Sequence, residues 1–369
     1  MLKYFTKKAE LSNINNFKEK FVLNPTVISI QKAFGAEVTE FITKFTAISH
    51  SSSLVLFTNN TFNLHALTNK NTNAIINLEK VNDILQLNNF FETINEKLPE
   101  GGIFIGCVET KGSRKIRILA KYPPAINYIV YYCDFIFKRV FPRLPITRKI
   151  YFKTTAGRNR VLSRTETLGR LYACGFKVCE EQIINNKLYF AAVKAGTPTY
   201  EPEPTYGPIY KMKRVGKEGK IIEVYKFRTM HAFAEHLQQY VYEKYNLKEG
   251  GKFSNDFRVS TLGKLFRKYW IDELPMIINL IKGDLKLVGV RPLSKHYMSL
   301  YTDDLKQKRI RVKPGLIPPF YADMPKTIAE IMESENRYLD SYMKAPFKTD
   351  LTYFFKALNN ILFKKARSS

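Results

Sequence analysis

Two apolar stripes at helical spacing flank the run Ile271-Asp272-Glu273-Leu274-Pro275, and the proline limits what this segment can become. Leu262, Leu265, Phe266, Tyr269 and Trp270 precede it; Leu274, Ile277, Ile278 and Ile281 follow. Each set recurs every three or four residues, the spacing of one helix face. Pro275 has no amide hydrogen and is tolerated only in a helix's first turn. The second helix is therefore expected to begin with Asp272 at its N-cap, with Gly283 as its stop. The adjacent carboxylates then lie at a helix N-terminus, whose free amides and partial positive charge attract phosphate and keep a carboxylate ionised. On one unbroken helix Arg267 would point about 140° away from Asp272, so a break between Trp270 and Asp272 is needed to bring them together. Taken alone, the pair also fits a plain capping aspartate followed by a solvated first-turn glutamate.

The segment KRVGKEGKIIEVYKFRT at 213–229 reads as a hairpin whose turn carries Gly216 and Gly219. In its second strand Lys226 and Arg228 are two apart and project from one face, presenting paired cations suited to phosphate. The following helical pattern sets Phe233, Leu237, Tyr240 and Val241 at the spacing of a buried face. His231, Glu235 and His236 do not match a zinc-helix spacing.

The motifs PIYKMKRVGKEGK (208–220), YKFRTM (225–230), DFRVSTLGKLFRK (256–268), IDELP (271–275), GDLKLVGVRP (283–292) and RVKPGL (311–316) follow one another in the order found in the bacterial sugar transferases. Residues 205–369 thus resemble that family of monotopic phosphoglycosyl transferases, most closely between Lys226 and Pro292. Met212 stands where the family has glutamine. Val290 replaces a proline, and GLIPPFYADMP follows Lys313-Pro314 in place of an I-T-G run. The family's membrane-dipping helix directly before the first motif is missing.

The resemblance implies transfer of a sugar-1-phosphate from a nucleotide sugar, such as a UDP-sugar, to polyprenyl (undecaprenyl) phosphate. That step would start exopolysaccharide, O-antigen or glycoprotein glycan synthesis. Asp272 would be the nucleophile, forming an aspartyl phosphosugar. Glu273 would be metal ligand or proton manager, with Asp272 and Glu273 holding Mg²⁺ and Arg267 neutralising phosphoryl charge. Lys226, Arg228, Asp256, Arg258, Arg291 and Pro292 would frame the nucleotide and phosphate site. The implied location is the cytoplasmic face of the bacterial inner membrane.

A formal net charge of +26 calls for an anionic partner. With Phe and Tyr interleaved among the cations and no nucleic-acid signature in the sequence, an anionic lipid surface fits better than nucleic acid. The four cysteines are too few and irregular for a disulfide framework or a zinc site, and read as reduced, buried thiols. The N-terminus lacks a signal-peptide pattern. No uncharged run approaches the roughly 20 residues of a spanning helix. Residues 125–145, broken by Pro142 and Pro145, and the C-terminal stripe Phe354, Leu358, Ile361 and Leu362 beside Lys356, Lys364, Lys365 and Arg367 have interfacial character. Either stretch could instead pack on the protein's own core.

Residues 1–200 read as a separate α/β domain. Strand candidates lie at 53–60, 73–78, 102–109 and 188–195, with a helix over 83–98, and this alternation predicts a largely parallel sheet. The order resembles the second half of a Rossmann-like methyltransferase. Gly35 is the single glycine in the first hundred residues, so the Gly-rich cofactor turn is absent and the domain reads as a cofactor-free relic. A Pro-rich joint at 196–208 closes it. The expected architecture is α/β: a Rossmann-like domain over 1–200, then a mostly helical α+β, membrane-associated catalytic domain over 201–369. A catalytically silent scaffold for a glycan-assembly complex is the second reading.

Overall fold

A computed structural model describes residues 25–65, 72–199, 207–244 and 256–363. The chain divides into two compact units, Met1–Arg117 with Cys174–Thr199, and Ile118–Ala173 with Tyr200–Ser369.

The first unit is built on a five-stranded sheet in the order β1-β2-β3-β5-β4, from Ser53–Leu56, Ala74–Lys80, Ile103–Val108, Phe176–Ile184 (β4) and Lys187–Lys194 (β5). β2, β3 and β5 are near-continuous apolar runs, as a sheet covered on both faces requires. Helices α1 (Pro25–Phe34) and α2 (Ala36–Thr43) contribute Ile30, Val38, Phe41 and Ile42 to a cluster with Ile76, Ile105 and Ala191. Helix α3 (Leu87–Lys97) buries Phe90, Phe91 and Ile94, and Phe91 meets Phe104 edge-on at 5.7 Å. The sheet is largely parallel, as expected: β1, β2, β3 and β4 point the same way, and β5 runs antiparallel between β3 and β4. Asn185 and Asn186, both at positive φ, make the tight β4–β5 turn that permits this. The expectation of four buried thiols also fails in part, since Cys107 and Cys174 are buried but Cys133 and Cys179 are exposed.

In the second unit residues 118–173 pack with residues 207–363, although the sequence alone suggests one division near 200. They form helices α4 (Ile126–Phe135), α5 (Pro145–Thr155) and α6 (Arg164–Ala173), with a π turn over Ile136–Val140 and a 3-10 turn over Phe141–Arg143 between the first two. Pro145 starts α5 at a position where its missing amide costs nothing. Helix α6 holds the insert in place. A Cβ on Gly169 would lie 2.2 Å from the Phe233 carbonyl oxygen, so only glycine permits this approach. Arg170 lies 4.3 Å from the Phe233 ring, and Thr165 Oγ1 donates to the Phe257 carbonyl at 3.0 Å.

The rest of the unit positions the sequence motifs between residues 208 and 316. Strands β6 (Ile209–Val215) and β7 (Ile221–Phe227) form the expected antiparallel hairpin, with Glu218 and Gly219 at positive φ in its turn. Helix α7 (Gln238–Lys244) follows a 3-10 turn at Ala234–Leu237. Next come α8 (Thr261–Lys268), a 3-10 turn at Ile271–Met276 and α9 (Ile277–Ile281). The expected core stripe is buried, with Leu237 and Val241 fully so. Strands β8 (Lys286–Val288) and β9 (Gly315–Ile317) pair in parallel beside helices α10 (Asp303–Ile310), α11 (Ile328–Lys344) and α12 (Pro346–Phe363).

Three apolar faces point outward. Ile126, Ile129 and Tyr132 are exposed on α4, Leu262, Leu265, Leu274 and Ile281 around the 261–281 segment, and Phe347, Phe355 and Phe363 on α12. Helix α12 also packs inward, burying Ala357 and Asn360 against Tyr321. Lys364, Lys365 and Arg367, like part of the Pro-rich joint, lie outside the described residues. Among the described residues no helix is long and apolar enough to cross a membrane.

Candidate active site

Asp272 lies at the wall of a cavity of about 330 Å³ in the second unit. Trp270 adopts the left-handed conformation at φ 53°, ending the run of α8 and turning the chain into the 3-10 segment that carries Ile271-Asp272-Glu273-Leu274-Pro275-Met276. This is the break needed for Arg267 and Asp272 to face one cavity, and both line it. Asp272 is not the N-cap, as expected from Pro275, but the second residue of the 3-10 turn. A tighter i→i+3 turn starting at Trp270 accommodates the proline before α9 begins.

Helix α8 is seated by its own cap. The Ser260 hydroxyl accepts the Gly263 amide at 2.9 Å and donates to the Thr229 carbonyl at 3.0 Å. A Cβ on Gly263 would sit 2.0 Å from that carbonyl oxygen. The close approach lets Arg267 Nε donate to Thr229 Oγ1 at 3.0 Å, fixing the guanidinium beside the KFRTM strand. From the other side Asn279, fully buried on α9, donates to the Glu223 carbonyl at 2.6 Å and accepts the Tyr225 amide at 3.0 Å. The carboxylate-bearing turn is thus clamped to β7.

On β7, Lys226 Nζ reaches Glu273 Oε1 at 2.6 Å. Lys226 and Arg228 both line the cavity, as their two-residue spacing predicts, and Arg228 lies 4.9 Å from the Tyr210 ring. The opposing strand adds Tyr210, Met212 and Arg214, which share one face by the same alternation. Arg214 Nη2 donates to the Met212 sulfur at 3.1 Å. Arg291 and Pro292 complete the wall with Gly315, Leu316 and Tyr321. The Arg291 carbonyl is held by Arg309 Nη2 at 2.5 Å, and Arg309 is itself paired with buried Glu335. Five cations and three carboxylates, Asp272, Glu273 and Glu235, therefore face one space, which favours a ligand carrying several negative charges.

Asp256 and Arg258 are placed differently. Arg258 binds Asp256 through Nε and Nη2, each at 2.8 Å, and a further nitrogen contacts Gln238. Neither lines the cavity; the pair braces the loop leading into α8.

Burial dominates the electrostatics of Asp272. Burial, then Glu273, push the Asp272 carboxyl above its ordinary range, while Lys226, its own amide and Arg267 oppose the shift. Asp272 is 7% exposed, and its Oδ1 has no hydrogen-bond partner among the described residues. A buried acceptor with no partner is costly, which leaves this oxygen available to a group entering the cavity. Burial lowers Arg228 and Arg214 below the usual guanidinium range. Among the described residues no three Asp, Glu, His or Cys side chains gather to hold a metal without help from a ligand.

Sequence reasoning missed Arg214, Glu235, Tyr321 and the Asn279 clamp. The alternation Tyr210-Met212-Arg214 carried a usable signal for the first. The others are brought in by tertiary packing that local pattern does not encode.

The sequence profile of the bacterial sugar transferases matches residues 200–364. The chain is 35% identical over 138 residues to the uncharacterized sugar transferase EpsL of Bacillus subtilis, covering 37% of this chain and 57% of EpsL. It is 36% identical over 116 residues to the undecaprenyl-phosphate galactose phosphotransferase of Salmonella typhimurium, covering 30% and 24%. A third relative is the UDP-N-acetylgalactosamine-undecaprenyl-phosphate N-acetylgalactosaminephosphotransferase of Aeromonas hydrophila, 29% identical over 167 residues, covering 42% and 36%. The chain thus spans less than two thirds of each of these relatives.

Proposed function

We propose that this chain, whose residues 200–364 belong to the bacterial sugar transferase family, moves a sugar-1-phosphate from a nucleotide sugar to polyprenyl phosphate. The observation that carries the reading is the buried, unpartnered Asp272 Oδ1 at the wall of a cavity bearing Arg214, Lys226, Arg228, Arg267 and Arg291. The Salmonella and Aeromonas relatives are both named for undecaprenyl phosphate, and the Aeromonas relative for a UDP-sugar, which supports this reading.

The Asp272 carboxylate attacks the sugar-bearing phosphorus, forming an oxygen–phosphorus bond as the diphosphate bridge breaks and the nucleoside monophosphate leaves with the bridging electron pair. A phosphate oxygen of polyprenyl phosphate then attacks the same phosphorus and releases the carboxylate, leaving a polyprenyl diphosphate sugar. Arg267, anchored on Thr229, and Arg291, anchored through its carbonyl, stabilise charge on the phosphoryl oxygens. Lys226 orients Glu273 and offsets part of the like-charge repulsion between the two acids.

Mg²⁺ fits this pair. An adjacent aspartate and glutamate, one with a free buried oxygen, match the ligand set with which that ion is held together with substrate phosphates. Asp272 and Glu273 would hold it, and it would supply neutralisation of the diphosphate charge. The outward apolar faces of α4, 261–281 and α12, with the net charge of +26, support attachment to an anionic lipid surface; the family resemblance suggests the cytoplasmic face of the bacterial inner membrane as that surface. The first unit, lacking a Gly-rich turn, is read as binding no S-adenosylmethionine.

The test is release of nucleoside monophosphate over a panel of nucleotide sugars with polyprenyl phosphate as acceptor. Turnover with at least one sugar is expected. No release with any, by protein that still binds nucleotide sugar, would favour a silent scaffold.

A further inference from the structure

A second cavity, of about 240 Å³, adjoins the first and shares Glu273, Leu316 and Tyr321 with it. Its remaining lining is Trp270, Leu274, Ile277, Ile317 and Ile361, so three elements build it: the 3-10 turn with α9, strand β9 and helix α12. Two of its polar groups are engaged. Glu273 Oε1 is held by Lys226, and the Trp270 indole N–H donates to the Tyr321 hydroxyl at 3.2 Å. Tyr321 is fixed in turn, since Asn360 of α12 donates to its carbonyl at 3.1 Å and to that of Ala322 at 2.7 Å. A space walled mainly by aliphatic and aromatic side chains favours an apolar occupant. Leu274 and Ile277 are about half exposed, which leaves the groove open at its outer end.

We propose that this groove holds the first isoprene units of the lipid acceptor, with the acceptor phosphate at Asp272 and the chain leaving between α9 and α12. The proposal rests on the transfer reading above, in which the acceptor is the reactant with an anionic head and an apolar tail. A cationic cavity and an apolar groove meeting at Glu273 match that shape. Leu316, Ile317 and Tyr321 belong to the GLIPPFYADMP stretch, so its departure from the family's sequence falls on this groove as well as on the wall of the first cavity.

Trp270 is the chain's single tryptophan, so its emission reports on the groove without labelling. The full chain in detergent micelles would be titrated with polyprenyl phosphate brominated on its first isoprene units. Saturable quenching, competed by unbrominated polyprenyl phosphate and not reproduced by equally brominated phosphatidylglycerol, is expected. Ile277→Gln and Ile361→Gln, neither of which lines the donor cavity, should each raise half-saturation and the acceptor KM by about ten-fold or more. Nucleotide exchange without acceptor should be unaffected. Ile183→Gln, at a position 65% exposed on β4 and outside the groove, should change neither. Absent quenching, equal quenching by the brominated phospholipid, or an unchanged acceptor KM in Ile277→Gln would overturn the proposal. A wild-type protein without exchange or turnover would sink the transfer reading separately, because quenching still reports on the groove.

Discussion

Glu166 lies on α6 with Arg139 and Arg143 on one oxygen, each at 2.5 Å, and Arg170 on the other at 3.0 Å. Its side chain is 3% exposed. Burial alone would raise its pKa; Arg139, Arg143 and Arg170 outweigh burial and hold it well below the ordinary glutamate range. Glu166→Gln keeps the shape but leaves three guanidiniums facing a neutral amide. Removing one partner from a buried ion pair costs about 3–5 kcal/mol. For a unit of 150–250 residues roughly 2–4 °C is lost per kcal/mol, so the second unit's Tm should fall by about 6–20 °C. The pH dependence has a definite sign. A depressed folded-state pKa gives stability that is present above the unfolded value and lost as pH falls toward the folded one. The gap between wild type and variant, read by scanning calorimetry, should therefore narrow only below about pH 4.3, by about 1.4 kcal/mol per pH unit. A Tm within 1 °C or so of wild type at pH 7 would refute the reasoning and with it the role of α6 in fastening residues 118–173 to the 230–237 turn.

Gly263→Ala drives a methyl group into the Thr229 carbonyl; it should cost about 1–3 kcal/mol and, by shifting Arg267, lower kcat more than nucleotide-sugar binding, which calorimetry and steady-state kinetics together would resolve. The acid limb of the exchange reaction should lie above the ordinary aspartate range, because burial and Glu273 raise Asp272, and in Glu273→Gln the residual activity should show that limb at lower pH. An unmoved limb would separate the two acids electrostatically. Flotation with anionic vesicles should weaken when Ile129 and Phe355, exposed on α4 and α12, are both replaced by Gln; unchanged flotation would remove these faces from the membrane contact.

The parts legible in the sequence were those written in local periodicity. Alternation gave the 209–227 hairpin and the shared face of Lys226 and Arg228, and helical spacing gave α8 and the buried Leu237 and Val241. The Asp272 break was anticipated in place but not in form, because a left-handed tryptophan followed by a 3-10 turn has no residue signature as strong as glycine. The apolar stripe of 261–281 was readable, but not that Leu262, Leu265 and Ile281 face outward, since periodicity reports a face and not what covers it. Residues 118–173 lie between the first unit's strands in the chain, so local pattern alone groups them with it. Their partners, Phe233 and Phe257, are more than sixty residues away, and the glycine that admits Phe233 looks in sequence like any other. Asp256 and Arg258 carry the expected motif but satisfy each other, which only their geometry reveals.

The account stands on Asp272 as a nucleophile that accepts the phosphosugar before any lipid is present. Labelled nucleoside monophosphate, mixed with the wild-type protein and nucleotide sugar without polyprenyl phosphate, should exchange into the nucleotide sugar. With Asp272→Asn, whose neutral amide cannot attack phosphorus, exchange should vanish while nucleotide-sugar binding persists. Exchange retained at more than a few per cent of wild type in Asp272→Asn would make Asp272 a structural residue and contradict the mechanism.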